Sequence, residues 1–162
     1  MRPVQVPETL LAEIRRHGRA TYPEECCGFL IGRNDPPDSN GPRTIVATER
    51  APNEFEGERR RRFVIRPEDL RSVERGLEGT DRVVAGFYHS HPDHPARPSA
   101  FDQTHAWPWY TYVVVSVSAT AVPAIAAFEL DPNSGVFHKV SLIPTPDAGA
   151  RVTESLRASG GR

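Results

Sequence analysis

Residues 82–91, with the sequence RVVAGFYHSH, are apolar almost throughout and end in two histidines. Strands covered on both faces read as continuous apolar runs, whereas strands with one solvated face alternate apolar and polar residues. This run therefore predicts a central strand with helices on both sides, and hence an α/β fold. Polar side chains at the end of such a strand are where α/β proteins commonly place their functional sites.

The flanking sequence supplies the other elements of such a fold. Helical spacing of apolar residues, with Pro or Ser at helix-starting positions, predicts helices over residues 7–21, 67–78 and 99–107. Short apolar runs bounded by turn residues predict strands over 26–32, 44–49, 61–65, 111–117, 124–130 and 136–144.

We expect one domain over residues 1–145, because a chain of 162 residues has the size of one ordinary domain. The sequence from 146 to 162 has no apolar periodicity and predicts a flexible C-terminal tail. The predicted architecture is a single three-layer α/β/α domain with a mixed, curved central sheet.

Composition argues against several classes of partner and location. Twenty basic and 21 acidic residues give a formal charge of -1, so no overall field favours nucleic acid or an anionic membrane. The two cysteines, Cys26 and Cys27, are adjacent and point to opposite faces of an extended segment, so we expect small buried thiols in a reducing compartment. With no apolar run of membrane-spanning length and no signal-peptide pattern, we expect a cytoplasmic protein.

The histidines that end the central strand predict a metal site. Side chains at i and i+2 of a strand lie on one face, so His89 and His91 aim both imidazoles at one point. Two imidazoles with a carboxylate suit zinc, although this ligand set also accepts iron, cobalt or nickel. From spacing alone, the third ligand is one of Asp93, His94, Asp102 and His105.

Two enzyme signatures overlap in HSHPDHPARPSAFD, residues 89–102. Read as H-x-H-x-D-H, the stretch resembles the signature of the metallo-β-lactamase superfamily and implies a two-metal hydrolase using His89, His91, Asp93 and His94. That fold needs further ligands well downstream, where this chain offers only His105 and His138.

Read as H-x-H, ten residues and Asp, with Ser three residues before the Asp, the same stretch resembles the JAMM (MPN+) metalloprotease motif. The family also has a glutamate three residues before a glycine at the start of a strand, and EECCG supplies it as Glu25 with Gly28. The resemblance spans about residues 15–143. It implies one zinc per chain held by His89, His91 and Asp102, with Glu25 and Ser99 as catalytic residues.

Less specific explanations exist for several of these residues. Ser99 and Asp102 also form the S-x-x-D pattern of a helix capping box, which can deliver the carboxylate to the histidines. Glu24 competes with Glu25 as general base, but only Glu25 has the offset to Gly28. We expect the remaining candidates to be structural. The arginines at 59–62 should lie in a solvated turn, and at least two of Trp107, Trp109 and Tyr110 should lie in the core. His17, His105 and His138 should be ordinary surface or helix residues.

The resemblance implies a metallopeptidase or isopeptidase that hydrolyses the amide bond after the Gly-Gly tail of a ubiquitin-like or sulfur-carrier protein. Glu25 would assist the attack of a zinc-bound water and pass its proton to the leaving amine. A non-catalytic scaffold of the same fold is the non-enzyme alternative. A zinc deaminase, whose fold is similar, would need an H-x-E and P-C-x-x-C pair that this chain lacks. Formation of a homodimer is left open by the sequence.

Overall fold

The computed structural model describes residues 1–36 and 39–147. Over these residues the chain forms three helices and eight strands. The helices are α1 (Glu8–Thr21), α2 (Pro67–Leu77) and α3 (Ala100–His105). The strands are β1 (Val4–Pro7), β2 (Cys27–Arg33), β3 (Arg43–Ala51), β4 (Arg82–Pro92), β5 (Thr111–Val117), β6 (Ala124–Leu130), β7 (Phe137–Val140) and β8 (Leu142–Thr145).

Strand β4 lies in the middle of one mixed sheet with the order β7-β6-β5-β4-β2-β3-β1-β8. It pairs antiparallel with β2 and parallel with β5, and it is buried over most of its length. Helix α1 packs on one face of the sheet and α2 on the other. The predicted central strand and the three-layer α/β fold with a mixed, curved sheet are therefore confirmed.

The single strand predicted over residues 136–144 is wrong, because it breaks at Ser141. Strand β7 pairs with β6 at one edge of the sheet, and β8 pairs with β1 at the other. The Ser141 carbonyl accepts a hydrogen bond from the Val4 amide at 2.8 Å. Because only Ser141 separates the two edge strands, the sheet must curve until these edges nearly meet.

The strand predicted over residues 61–65 is also wrong, since these residues lie in an irregular segment. Its backbone groups are paired locally instead of in a sheet ladder. The Val64 carbonyl accepts from the Glu54 amide, and the Val64 amide donates to the Asn53 side chain. These partners come from the preceding loop. The segment lies beside the histidines, because its Phe63 ring stacks on His89.

The adjacent cysteines are free and buried, as predicted, and they belong to the two opposite cores. Cys26 packs under α1, and Cys27 packs on the side of α2. Among the described residues, no helix is long and apolar enough to cross a bilayer. Of the predicted tail, residues 146–162, the part from residue 148 onward lies outside the described residues.

Candidate metal centre

Three side chains meet at the C-terminal end of β4. The Nε2 atoms of His89 and His91 are 3.0 Å apart, and each lies 3.1 Å from Oδ2 of Asp102. His89 and His91 are buried, and the Asp102 side chain is only 7% exposed. The structure therefore brings together the three residues that the sequence predicts as metal ligands.

Asp102 reaches the histidines because a capping box starts α3. The Asp102 amide donates to Oγ of Ser99 at 3.1 Å, and the Ser99 amide donates to Oδ2 of Asp102 at 2.7 Å. Such reciprocal bonds satisfy two backbone donors that a helix start leaves unpaired. The same carboxylate thus caps the helix and faces both imidazoles, as the sequence led us to expect.

The protonation of His91 shows that this donor set fits a cation. Nδ1 of His91 lies 3.1 Å from the Pro95 carbonyl, which can only accept a hydrogen bond, so Nδ1 carries the proton. In the neutral ring, Nε2 then presents a lone pair toward Oδ2 of Asp102, which is itself an acceptor. A positive ion between these atoms resolves the conflict, and a second hydrogen bond of this kind is typical of metal-binding histidines.

The electrostatics of the group are also those of a ligand set. Burial lowers the pKa of His89, which favours the neutral imidazole that metals bind. Burial opposes ionisation of Asp102, but the contacts of its carboxylate with the two imidazoles and the hydrogen bond from the Ser99 amide outweigh it. The pKa of Asp102 therefore lies well below its usual range, and the carboxylate is ionised.

Glu25 lies two residues before the start of β2 and is only 3% exposed. Its Oε2 atom has no hydrogen-bond partner among the described residues. Burial, and to a lesser degree the charge of Asp102, raises the pKa of Glu25 to about 9. A buried, unpartnered carboxyl with a strongly raised pKa is typical of a group that handles protons.

A family model described as prokaryotic homologues of the JAB domain matches residues 7–131. This chain belongs to that family. Membership confirms the resemblance to the JAMM family that the sequence indicated.

The JAB family assignment agrees with the similar proteins of known sequence or structure. The chain is 33% identical over 110 residues to a protein named desampylase from Haloferax volcanii, covering 67% of this chain and 74% of that protein. A solution structure from Salinibacter ruber has 39% identity and a TM-score of 0.64, covering 90% of this chain and 92% of that one. A second, from Desulfitobacterium hafniense, has 24% identity and a TM-score of 0.75, covering 89% and 94%, and it supports the fold alone.

The JAB fold does not bring the remaining candidate ligands into the group. Asp93 is exposed, and its carboxylate accepts a hydrogen bond from the Tyr22 hydroxyl at 2.9 Å. His94 is exposed, and His105 stacks on the ring of Phe101 at the end of α3. Neither Asp93 nor His94 joins the three-residue group within the described chain, which disfavours the two-metal arrangement.

An apolar groove opens beside the centre, with a volume of about 230 Å³. The Phe63 ring stacks on His89 with 4.4 Å between centroids, and Phe101 and Trp107 also line the groove. Phe63 was missed by the sequence analysis, because its place depends on the path of an irregular segment. The guanidinium of Arg62 lies 4.6 Å above the Phe101 ring, so one of the four arginines does contact the wall of the groove.

The expectation that at least two of Trp107, Trp109 and Tyr110 lie in the core is wrong, because only Tyr110 packs against it. Trp107 is 56% exposed and Trp109 is 79% exposed, and only Trp107 contacts the groove. His17 lies in a helix, which the expectation of a surface or helix residue allowed, but it is buried and its Nδ1 lies 2.8 Å from the Tyr88 hydroxyl. His138 is exposed in β7, as expected.

Proposed function

We propose that this chain is a zinc-dependent metallopeptidase and isopeptidase, which hydrolyses the amide bond after the Gly-Gly tail of a ubiquitin-like or sulfur-carrier protein. The observation that carries the proposal is the meeting of His89, His91 and Asp102, together with the buried, unpartnered carboxyl of Glu25, whose pKa is raised in part by the charge of Asp102. Membership of the JAB family and the likeness to a desampylase support this class of reaction and a ubiquitin-like partner.

His89, His91 and Asp102 would hold the metal through two nitrogens and one carboxylate oxygen. Three protein ligands leave a tetrahedral ion one open position, which is the catalytic rather than the structural pattern. A zinc ion held there would polarise the substrate carbonyl, lower the pKa of a water molecule and, by its charge, favour the ionised form of Glu25.

Glu25 would accept the proton of the attacking water and pass it to the leaving amine. Its Oε2 atom is available for this, because no other described residue occupies it. General acid–base catalysis by such a group typically contributes about 10²- to 10⁴-fold in rate.

Ser99 would stabilise the oxyanion that forms at the carbonyl. Its oxygen already accepts the Asp102 amide hydrogen, which fixes the side chain at the start of α3. The hydroxyl hydrogen can then be donated toward the site. One such donor is worth about 10²- to 10³-fold in rate.

The groove beside His89 would receive the extended tail of the carrier. Its walls are mainly aromatic and aliphatic, and they include Phe63 and Trp107. Glycines at the scissile bond let the substrate backbone approach the enzyme closely, because they have no side chain.

The decisive test is cleavage of a panel of small Gly-Gly-tailed carriers, each extended by one residue, fused to a second protein, or linked to a lysine side chain. Intact mass would identify the product. We expect a carrier ending in Gly-Gly, loss of activity with a chelator and recovery with zinc, and no product from a matched carrier with Ala-Ala at the tail. Absence of cleavage by the zinc-loaded chain, or cleavage unaffected by the chelator, would favour the scaffold.

A further inference from the structure

Asn53 lies just after β3, and its side-chain amide binds backbone groups of its own loop and of two other segments. Its Nδ2 atom donates to the carbonyls of Glu25 at 3.1 Å and Arg62 at 3.0 Å. Its Oδ1 atom accepts from the amides of Phe55 at 3.1 Å and Val64 at 3.2 Å.

This pattern fixes both the orientation of the amide and the choice of residue. Two carbonyls lie on the nitrogen side of the side chain and two N–H groups on the oxygen side, so only one orientation satisfies all four. Aspartate keeps the two acceptor contacts but cannot donate to Glu25 and Arg62. Serine and alanine cannot make the set at all.

The two segments that Asn53 joins carry different parts of the proposed site. On one side is Glu25, whose amide also donates to the Arg59 carbonyl at 2.8 Å. On the other is the segment 59–65, in which Phe63 lies against His89. Between them, Asn53 bridges the proton-handling residue to the wall of the groove.

Cys26, which follows Glu25, is hydrogen-bonded to β4, the strand that carries His89 and His91. The Cys26 amide donates to Oγ of Ser90 at 2.8 Å, and the Ser90 amide donates to the Cys26 carbonyl at 3.0 Å. Ser90 lies between His89 and His91. The backbone of Glu25 is thus fixed from the β4 side by Ser90 and from the groove side by Asn53.

We infer that Asn53 is a positioning residue: it holds the Glu25 backbone and the segment 59–65 in one register, so that the carboxyl of Glu25, the groove wall and His89 keep their relative places. The catalytic consequence rests on the proposed function, whereas the structural link does not. Displacement of a reacting group by about 1 Å can cost about 100-fold in rate, which sets the scale of the expected effect.

The structural link is tested by amide hydrogen exchange in the metal-free chain. Asn53→Ala should speed exchange at Phe55 and Val64, which lose their acceptor, and also at Glu25, whose N–H bonds to Arg59 and not to Asn53. We expect an increase of about tenfold or more at Glu25, since local opening is what limits exchange there. Unchanged exchange at Glu25, with faster exchange at the other two, would reduce Asn53 to a local loop contact and overturn the inference.

The catalytic consequence is tested with Asn53→Asp, which keeps the size and the two acceptor contacts. We expect kcat to fall by about 10- to 100-fold with an unchanged zinc content, and by less than about threefold when Glu25 is already Gln, because two residues that act through one step are not additive. A kcat within about twofold of the wild type, or losses that multiply in the double variant, would contradict the inference.

A matched control is Asp131→Ala in the turn between β6 and β7. Oδ1 of Asp131 likewise accepts two backbone amides, from Asn133 at 2.7 Å and Ser134 at 3.1 Å, but at the end of the strands opposite to His89 and His91. This variant should leave exchange at Glu25 and kcat unchanged. If the wild-type chain cleaves no carrier, the proposed function fails, while the exchange experiment still decides the link between Glu25 and the groove wall.

Discussion

Tyr88 and His89 are neighbours in β4, and they place buried polar groups on opposite faces of the same sheet. On the α1 face, the Tyr88 hydroxyl pairs with Nδ1 of His17 at 2.8 Å. On the other face, Nε2 of His89 lies against His91 and Asp102, and Oε2 of Glu25 has no hydrogen-bond partner among the described residues. Buried polar groups that satisfy each other stabilise a fold, whereas those left without partners retain the capacity to bind a ligand.

The Glu-x-x-Gly motif serves both faces. Glu25 belongs to the open site, while Gly28 pairs with Tyr88 across β2 and β4. A Cβ atom at residue 28 would lie 2.3 Å from Cε1 of Tyr88. Glycine is therefore required there by the packing of the closed face.

The largest effect on activity should come from removal of a metal ligand on the face of the sheet that carries His89. Asp102→Ala should abolish zinc binding and lower turnover by more than about 1000-fold, because activation of water depends on the metal. Zinc per chain, measured by mass spectrometry, should fall from one to near zero. His94→Ala is the matched control, and loss of zinc in that variant would revive the two-metal reading.

Glu25→Gln should separate proton transfer from metal binding. We expect kcat to fall by about 10²- to 10⁴-fold, since an amide cannot accept the proton, while zinc content stays at one per chain. The neighbouring Glu24→Gln should be near wild type. Full activity of the Glu25 variant would remove Glu25 from the mechanism.

The groove should show a smaller effect that depends on position. Trp107→Ala removes an aromatic wall, and we expect kcat/KM to fall by about tenfold, mostly through KM. Trp109→Ala removes a more exposed tryptophan that does not line the groove. Equal effects of the two substitutions on cleavage kinetics would show that the groove does not hold the substrate.

On the closed face, Tyr88→Phe should change stability and not chemistry. It leaves Nδ1 of His17 buried without its partner, which should lower the free energy of unfolding by about 1–3 kcal/mol. Denaturant titration would measure this, and zinc content should remain unchanged. A variant as stable as the wild type would mean that the pair contributes nothing.

The smallest effect concerns pH. Burial is the main cause that lowers the pKa of His17 in the folded chain, so the unfolded chain binds more protons as the medium becomes acidic. The stability due to neutral His17 is therefore present above about pH 6.5 and lost at lower pH. His89, also with a lowered pKa, acts in the same direction. His17→Gln should thus lose less stability than the wild type between about pH 7.5 and 5.5, and parallel curves would contradict this assignment.

Much of the site could be predicted because its determinants are local. The period of two in a strand places His89 and His91 on one face, and the capping pattern delivers Asp102. The positions of Phe63 and Asn53 depend on the path of an irregular loop, and an irregular path has no periodic pattern in the sequence from which it could be predicted. The break at Ser141 could not be predicted either, since residues 136–143 contain no Gly, no Pro and no other turn signal. The two strands separate there because each edge of the curved sheet offers its own partner.

The most direct test of the metal centre is a crystal structure of the zinc-loaded chain, with anomalous diffraction recorded at the zinc edge. One peak is predicted, bonded to Nε2 of His89, Nε2 of His91 and the Asp102 carboxylate, with Zn–N distances of about 2.0–2.1 Å and Glu25 facing the open position. A peak away from these three side chains, or a second peak at Asp93 and His94, would contradict the account.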